Sequence, residues 1–112
     1  MNDNFGIDMQ NLESYISHIK AQYAAFYNGR MDDIAKRMIA EFEVTYEPGN
    51  KYLKVITGRD SRSVHSFVCM KDNGKFKKGD ILKAASWAAP AKNFARGNVI
   101  AGNFENISWT GA

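Results

Sequence analysis

Cationic and aromatic side chains are interleaved in residues 79–98, with the sequence GDILKAASWAAPAKNFARGN. The residues that carry chemistry there are Lys83, Trp87, Lys92, Phe94 and Arg96. Ammonium and guanidinium groups attract phosphate, and flat rings offer a face on which a base can stack. This combination is typical of sites that bind nucleotides or single-stranded nucleic acids. Each ring taken alone is also typical of a core residue.

Two further groups of residues extend this candidate site. Asn93 and Asn98 offer both a donor and an acceptor, which suits a base edge or a ribose hydroxyl. In residues 58–63, Arg59 and Arg62 flank serine hydroxyls and backbone N–H groups that can converge on a phosphate. The same loop is compatible with a surface hairpin in which Asp60 pairs with one arginine. The complete set of expected ligand-binding residues is Arg59, Arg62, Lys83, Trp87, Lys92, Asn93, Phe94, Arg96 and Asn98.

The sequence lacks the common enzyme signatures GxSxG, GxGxxG, HExxH and the Walker phosphate loop. His65 and Cys69 lie four residues apart in a predicted strand, roughly 13 Å along it, too far for a nucleophile and its base. We expect a core cysteine and a partly exposed histidine. One cysteine and two histidines provide neither a disulfide nor a structural zinc site. We therefore expect a non-catalytic protein without metal or cofactor.

Two helices are predicted before the first strand. Apolar residues recur at spacings of three and four over residues 11–28, and Gly29 is suited to end that helix. Asp32 and Asp33 then open a second helical pattern, because carboxylates are favourable at a helix N-terminus. The apolar positions of this second pattern are Ile34, Ala35, Met38 and Phe42.

An antiparallel sheet is predicted after the helices. Alternating residues 41–47 and the apolar runs 52–57, 63–70 and 81–85 predict four strands, separated by turns at Pro48–Asn50 and Asp72–Gly74. Pro90 and Gly97 predict a short helix near residues 91–96. The tail, residues 98–112 (NVIAGNFENISWTGA), can add an edge strand or reach a second copy of the chain. The expected fold is α+β, with two N-terminal helices and a four- or five-stranded antiparallel sheet. Residues 1–112 are expected to form a single domain, helical over residues 1–40 and mainly β over residues 41–112.

The charge is divided along the chain. Residues 1–50 contain four basic and eight acidic residues, which gives a net charge of −4. Residues 51–112 contain eleven basic and four acidic residues, which gives a net charge of +7. The basic half is expected to face an anion or the acidic half of another copy, unless it is a solvated basic face. No apolar run approaches the roughly 18 residues typical of a membrane span, and MNDNFGIDMQ does not resemble a signal peptide. We expect a cytoplasmic protein without membrane contact.

Three sequence segments resemble a widespread group of small, mostly uncharacterised tailed-phage accessory proteins. They are KYLKV at Lys51–Val55, SRSV at Ser61–Val64, and GDILKAASWAAPAK followed by ARGN. The likeness covers Lys51–Ile100 and does not include Met1–Arg37. In size and site chemistry the chain is also similar to anti-Thoeris phage sponge proteins, which sequester cyclic ADP-ribose signals. The resemblance implies a non-catalytic anti-defence protein of the host cytoplasm that binds a small nucleotide in a pocket, often between copies of a homo-oligomer.

Two other functions remain open at this point. The same basic groove can follow single-stranded DNA or RNA, with an affinity that falls steeply with salt because bound phosphates release counterions. Alternatively, the acidic helices inhibit a host enzyme by direct contact. That alternative predicts that alanine at Asp32, Asp33 and Glu41 abolishes activity.

Overall fold

The computed structural model describes residues 9–26, 32–59 and 61–112. Two helices come first, α1 (Met9–Phe26) and α2 (Asp33–Glu41). The strands are β1 (Val44–Pro48), β2 (Tyr52–Thr57), β3 (Ser63–Cys69), β4 (Asp80–Lys83) and β5 (Gly97–Asn98). They form one antiparallel sheet in the order β1-β2-β3-β4-β5. The α+β class, both N-terminal helices and the antiparallel sheet are confirmed; Gly29 lies outside the described residues.

The register of the strands defines two faces of the sheet. Leu53 pairs with Val68 and Val68 with Ile81, so these three side chains share one face. They pack in one cluster with Leu12, Tyr15 and Ile19 of α1. We call this side of the sheet the covered face. Since side chains alternate along a strand, Lys54, Phe67 and Leu82 share the opposite side, which we call the outer face.

Helix α1 packs on the covered face through one stripe of its surface. Leu12, Tyr15, Ile19 and Tyr23 are buried and follow the spacing of three and four that predicts the helix. The C-terminal segment completes this cluster with Val99 and Ile107. The core therefore lies between α1, the sheet and the end of the chain.

Helix α2 has the predicted start but not a buried apolar stripe. Asp32 is its N-cap, and the Asp32 Oδ1 accepts a hydrogen bond of 2.8 Å from the Ala35 N–H. Of its residues only Ala35 is buried, whereas Ile34 and Met38 are 63% and 42% exposed. Phe42 is the non-helical C-cap. The apolar pattern thus marks a helix here without placing it against the sheet.

The predicted short helix at residues 91–96 is wrong. This segment has no regular secondary structure, and its two ends bond to β4: the Ala91 N–H donates to the Lys83 carbonyl at 2.8 Å and the Arg96 N–H to the Ile81 carbonyl at 2.7 Å. Backbone bonds to a neighbouring strand thus replace the local bonds of a helix. The segment leads into β5, a two-residue edge strand to which the tail, expected to add such a strand, contributes only Asn98.

A polar network is buried between α1, β3 and the C-terminal segment. The His65 Nε2 lies 2.8 Å from the Ser108 carbonyl oxygen, an acceptor, so this nitrogen carries the proton of the neutral ring. The His65 Nδ1 then accepts from the Ser66 hydroxyl at 2.9 Å, and Ser66 Oγ accepts from the Tyr15 hydroxyl at 2.7 Å. Burial lowers the pKa of His65 and raises the pKa of Tyr15. His65 is 2% exposed, so the expectation of a partly exposed histidine is wrong.

No helix among the described residues combines the length and the apolar character that crossing a membrane requires.

Candidate functional site

The structure distributes the predicted site residues over several places instead of one pocket. The most informative place is the outer face, where Lys54, Arg62 and Trp87 meet. We call these three residues the tryptophan cluster. The Lys54 Nζ lies 4.5 Å and the Arg62 Cζ 6.0 Å from the centre of a Trp87 ring. Both distances are within the range of cation–π attraction.

Local backbone bonds and the sheet position the tryptophan cluster. Trp87 lies in a turn after β4, in which the Ala85 and Ser86 N–H groups donate to the Ala89 carbonyl at 3.0 and 3.1 Å. Lys54 projects from β2 on the outer face. The Trp87 side chain remains 48% exposed, although burial of an indole is favourable. The cluster thus combines a half-exposed aromatic side chain with two cationic groups that lie over its rings.

An open cavity of about 300 Å³ adjoins the tryptophan cluster. Three of its lining residues connect it to the cluster: Lys54 is a member, Ala88 follows Trp87 in the chain, and Glu47 accepts a hydrogen bond from Arg62. Its aromatic lining is Tyr52 and Phe67, whose rings meet edge to face at 6.1 Å. Its remaining lining residues are Pro48, Gly49, Asn50 and Lys51. The arrangement suits a ligand with one flat ring and one anionic group.

Glutamates of the first strand region offset both loop arginines. The Arg62 Nη2 donates to Glu47 Oε2 at 3.2 Å, and the Arg59 Nε donates to Glu43 Oε2 at 2.8 Å. The two arginines do line one cavity of about 400 Å³, but both glutamates line it as well. Sequence reasoning missed this neutralisation because Glu43 and Glu47 lie about fifteen residues earlier in the chain. Asp60, the predicted arginine partner, lies outside the described residues.

Phe94 and Arg96 form a second pair of ring and cation. The Arg96 Cζ lies 4.2 Å from the Phe94 ring centre, and Phe94 is 55% exposed. Arg96 also lines a cavity of about 400 Å³ at the β5 edge, together with Asp80 and Glu105. Two carboxylates thus line the same cavity as Arg96, whereas the sequence predicted Arg96 as one of several cations around a phosphate.

The two predicted asparagines stabilise turns. The Asn98 Nδ2 donates to Asp80 Oδ1 at 2.9 Å and to the Lys78 carbonyl at 3.1 Å, and its Oδ1 accepts from the Ile100 and Ala101 N–H groups. The Asn93 Oδ1 accepts from the Phe94 N–H at 2.9 Å. The amide of Asn98 has thus little hydrogen-bonding capacity left for a ligand.

The two remaining lysines lie apart from the tryptophan cluster. Lys83 follows Leu82 in β4 and so projects from the covered side, where it lines a cavity with His65 and Thr110. Lys92 is exposed. The sheet separates Lys83 from Trp87, and only the strand register reveals this separation.

Metal binding and thiol chemistry both depend on which side chains the fold brings together in residues 9–26, 32–59 and 61–112. These residues contain no group of three His, Cys, Asp or Glu side chains able to hold a metal ion. Cys69 is buried, and burial raises the pKa of its thiol to about 11, which keeps it protonated near neutral pH.

Comparison with known proteins yields one match. A family model described as "Family of unknown function (DUF7717)" matches residues 6–112. No curated protein and no solved structure matches the chain.

Proposed function

We propose that this chain, which belongs to the DUF7717 family of unknown function, binds a phosphorylated, base-containing ligand on its outer face without catalysis. One observation carries the proposal: Trp87 is half exposed, and two cationic groups lie over its rings. The ring supplies a stacking surface, and the cations supply the attraction for phosphate.

Stacking and charge contribute separately to the binding. A base stacked on an accessible aromatic ring contributes about 1–3 kcal/mol. Lys54 and Lys51 at the adjoining cavity can contact a phosphate group of the same ligand. Arg62 contributes less than a full charge, because Glu47 accepts a hydrogen bond from it. The Glu47 carboxylate therefore weakens the attraction for an anion at this place.

The size of the cavity favours a small ligand. Its volume of about 300 Å³ lies at the lower end of the range for small-molecule pockets. A single nucleotide or dinucleotide signal, such as a cyclic ADP-ribose species, matches this chemistry. Binding without bond breakage would remove that signal from solution. This is the role we propose, that of a phage anti-defence protein acting in the host cytoplasm, with copies associating as a homo-oligomer.

A second candidate function is binding of single-stranded nucleic acid. It is favoured by Phe94 and Arg96, a second exposed ring with a cation, on the same connection between β4 and β5. Two such pairs suit successive bases of one strand.

Calorimetric titration of the full chain with ADP-ribose and with a short oligothymidylate tests the proposal. Trp87→Ala is expected to weaken ADP-ribose binding by about fivefold or more, whereas Trp87→Phe retains most of it because a stacking face remains. Glu47→Gln is expected to strengthen binding, because it releases Arg62 from a carboxylate. Glu43→Gln is the matched control, since it disrupts the equivalent glutamate pair of Arg59 without contacting Arg62.

The outcomes separate the two candidates. Equal affinity of Trp87→Ala and the unaltered chain for ADP-ribose would overturn the nucleotide proposal. Tighter binding of the oligothymidylate, with a steep loss of affinity as salt is added, would support the single-strand function instead. Native mass spectrometry of protein from signal-producing cells would show any retained ligand and the number of copies.

A further inference from the structure

We propose a second binding site, for an uncharged ligand rich in hydroxyl groups such as a pentose or hexose, in the cavity beside β5. We call it the edge cavity. Its volume is about 400 Å³, and it is lined by Asp80, residues 95–98, Asn103, Glu105 and Asn106. The proposal does not depend on the tryptophan cluster, since the edge cavity shares no lining residue with it.

Arg96 lines the edge cavity, and the surroundings of its guanidinium determine which of its nitrogens a ligand can reach. One face of the group lies over Phe94, at 4.2 Å from the ring centre. The Nε is buried and has no hydrogen-bond partner. Among the described residues, the terminal nitrogens of Arg96 also form no hydrogen bond. Unlike the Nε, these terminal nitrogens are not buried. A ligand can therefore accept hydrogen bonds from these terminal nitrogens, which a planar group held by stacking presents in a fixed direction.

The charges in the edge cavity argue against a phosphate ligand. The lining contains one guanidinium, that of Arg96, and two carboxylates, those of Asp80 and Glu105, so the cavity has a formal excess of negative charge. A phosphate would be attracted by Arg96 but repelled by both carboxylates. A hydroxyl group has no charge to repel, and it both donates to a carboxylate and accepts from a guanidinium or an amide.

Several polar groups of the edge cavity have hydrogen-bonding capacity left. Within the described residues of the chain, the Glu105 and Asn106 side chains form no hydrogen bond. Asn103 uses its Oδ1 to accept from the Asn98 N–H at 2.8 Å, which leaves its Nδ2 as a donor. The cavity thus combines acceptors (Glu105), donors (Arg96 and Asn103) and a group that is both (Asn106). This mixture matches a ring of neighbouring hydroxyl groups.

The backbone around the edge cavity is held in place without a ligand. The Asn98 Oδ1 accepts from the Ile100 N–H at 2.8 Å and the Ala101 N–H at 3.0 Å, which fixes the turn after β5. At Gly97 the chain passes so close that a Cβ would lie 2.5 Å from the Asn103 carbonyl oxygen. Glycine is therefore required there, and the lining residues are positioned before a ligand arrives.

Titration of the ¹⁵N-labelled full chain with D-ribose, D-glucose and inorganic phosphate, followed by two-dimensional NMR, tests the proposal. The expected result is a saturable shift of the Asn103 and Asn106 side-chain amide signals with a sugar at millimolar concentration. Glu105→Gln is expected to weaken this binding by about tenfold. Glu13→Gln is the matched control, because Glu13 is an exposed glutamate of α1 outside the edge cavity.

Three results would overturn the proposal: no saturable shift with either sugar, a larger shift of the same signals with phosphate, or unchanged sugar binding by Glu105→Gln. Sugar binding by Trp87→Ala, with its nucleotide binding lost, would show that the two sites are independent. Loss of both activities in Trp87→Ala would overturn the separate site.

Discussion

The two faces of the sheet differ in how completely they are enclosed. On the covered face, α1 and the C-terminal segment bury a large apolar cluster and a polar network whose members all have partners. On the outer face, only Phe67, Cys69, Phe76 and Leu82 form a buried cluster among the described residues, and Trp87 beside it is half exposed. Burial of apolar surface is the main source of stability. The covered face therefore holds the fold together, while the outer face leaves aromatic and charged groups accessible to solvent.

The two faces are expected to differ most in the free energy of unfolding that is lost when a core leucine is shortened. Leu53 and Leu82 are both fully buried, the first on the covered face and the second on the outer face. Leu53→Ala is expected to lower the free energy of unfolding by about 3–5 kcal/mol, because α1 and the tail prevent the cavity from collapsing. Leu82→Ala is expected to cost about 2–3 kcal/mol, because its cluster is smaller and its neighbours Tyr52 and Ala95 are only partly buried, so they can move into the space left. Urea denaturation of both variants measures the difference, and an equal or reversed order would contradict the comparison.

Removing a hydroxyl group from each face is expected to lower the free energy of unfolding by less than removing a core leucine does. Tyr15→Phe removes the hydroxyl that donates to the buried Ser66 Oγ, and we expect a loss of about 1–2 kcal/mol. Tyr52→Phe is the control on the outer face, where the Tyr52 hydroxyl accepts from the Asn73 Nδ2 at 3.1 Å in a partly buried position. Its expected cost is below about 1 kcal/mol, because water can replace the lost partner. Thermal unfolding checks the pair, and a larger loss in Tyr52→Phe would show that the outer face is the more tightly enclosed one.

Two elements show how far the sequence predicts this fold. The sequence predicts strand β2 with its observed bounds, Tyr52–Thr57, because a Pro-Gly turn before it and a glycine after it delimit a run of strand-forming residues. The prediction for residues 91–96 is wrong, because Pro90 and Gly97 are local helix signals whereas the backbone bonds of this segment go to β4. Local signals thus predict an element well only where its hydrogen-bond partners do not overrule them.

Only part of the candidate site can be predicted from the sequence, because local signals identify residue types but not their neighbours in the fold. Trp87 and Arg62 are identified by their own chemistry, and the structure brings them within 6.0 Å. Lys54 escapes prediction because it lies in β2, far from Trp87 in the sequence, and only the folded chain brings its Nζ to 4.5 Å from a Trp87 ring centre. Glu43 and Glu47, the partners of Arg59 and Arg62, also escape prediction, because they are distant from the arginines in the sequence. A sequence thus reveals residue types, whereas it does not reveal neighbours across a sheet.

The smallest expected effect is a pH dependence that arises on the covered face. Burial holds the pKa of His65 below its ordinary value, so as pH falls the unfolded chain takes up a proton before the folded chain does. Stability is therefore expected to decrease as pH falls from about 7.5 to 5.5, with a slope of at most about 1.4 kcal/mol per pH unit from this one group. Urea midpoints across this range measure the slope, and His65→Gln should flatten it. A slope that is unchanged in His65→Gln would assign the effect to other groups.

The two-residue strand β5 has a consequence for behaviour at high concentration. Its Asn98 N–H is occupied by the Asn103 side chain, so this border of the sheet offers few donors to a further strand. At the opposite border, β1 ends in Pro48, which has no N–H, and carries the charged Glu47. Neither border is a good template for continuous growth. Fibrous aggregation by sheet extension is thus disfavoured.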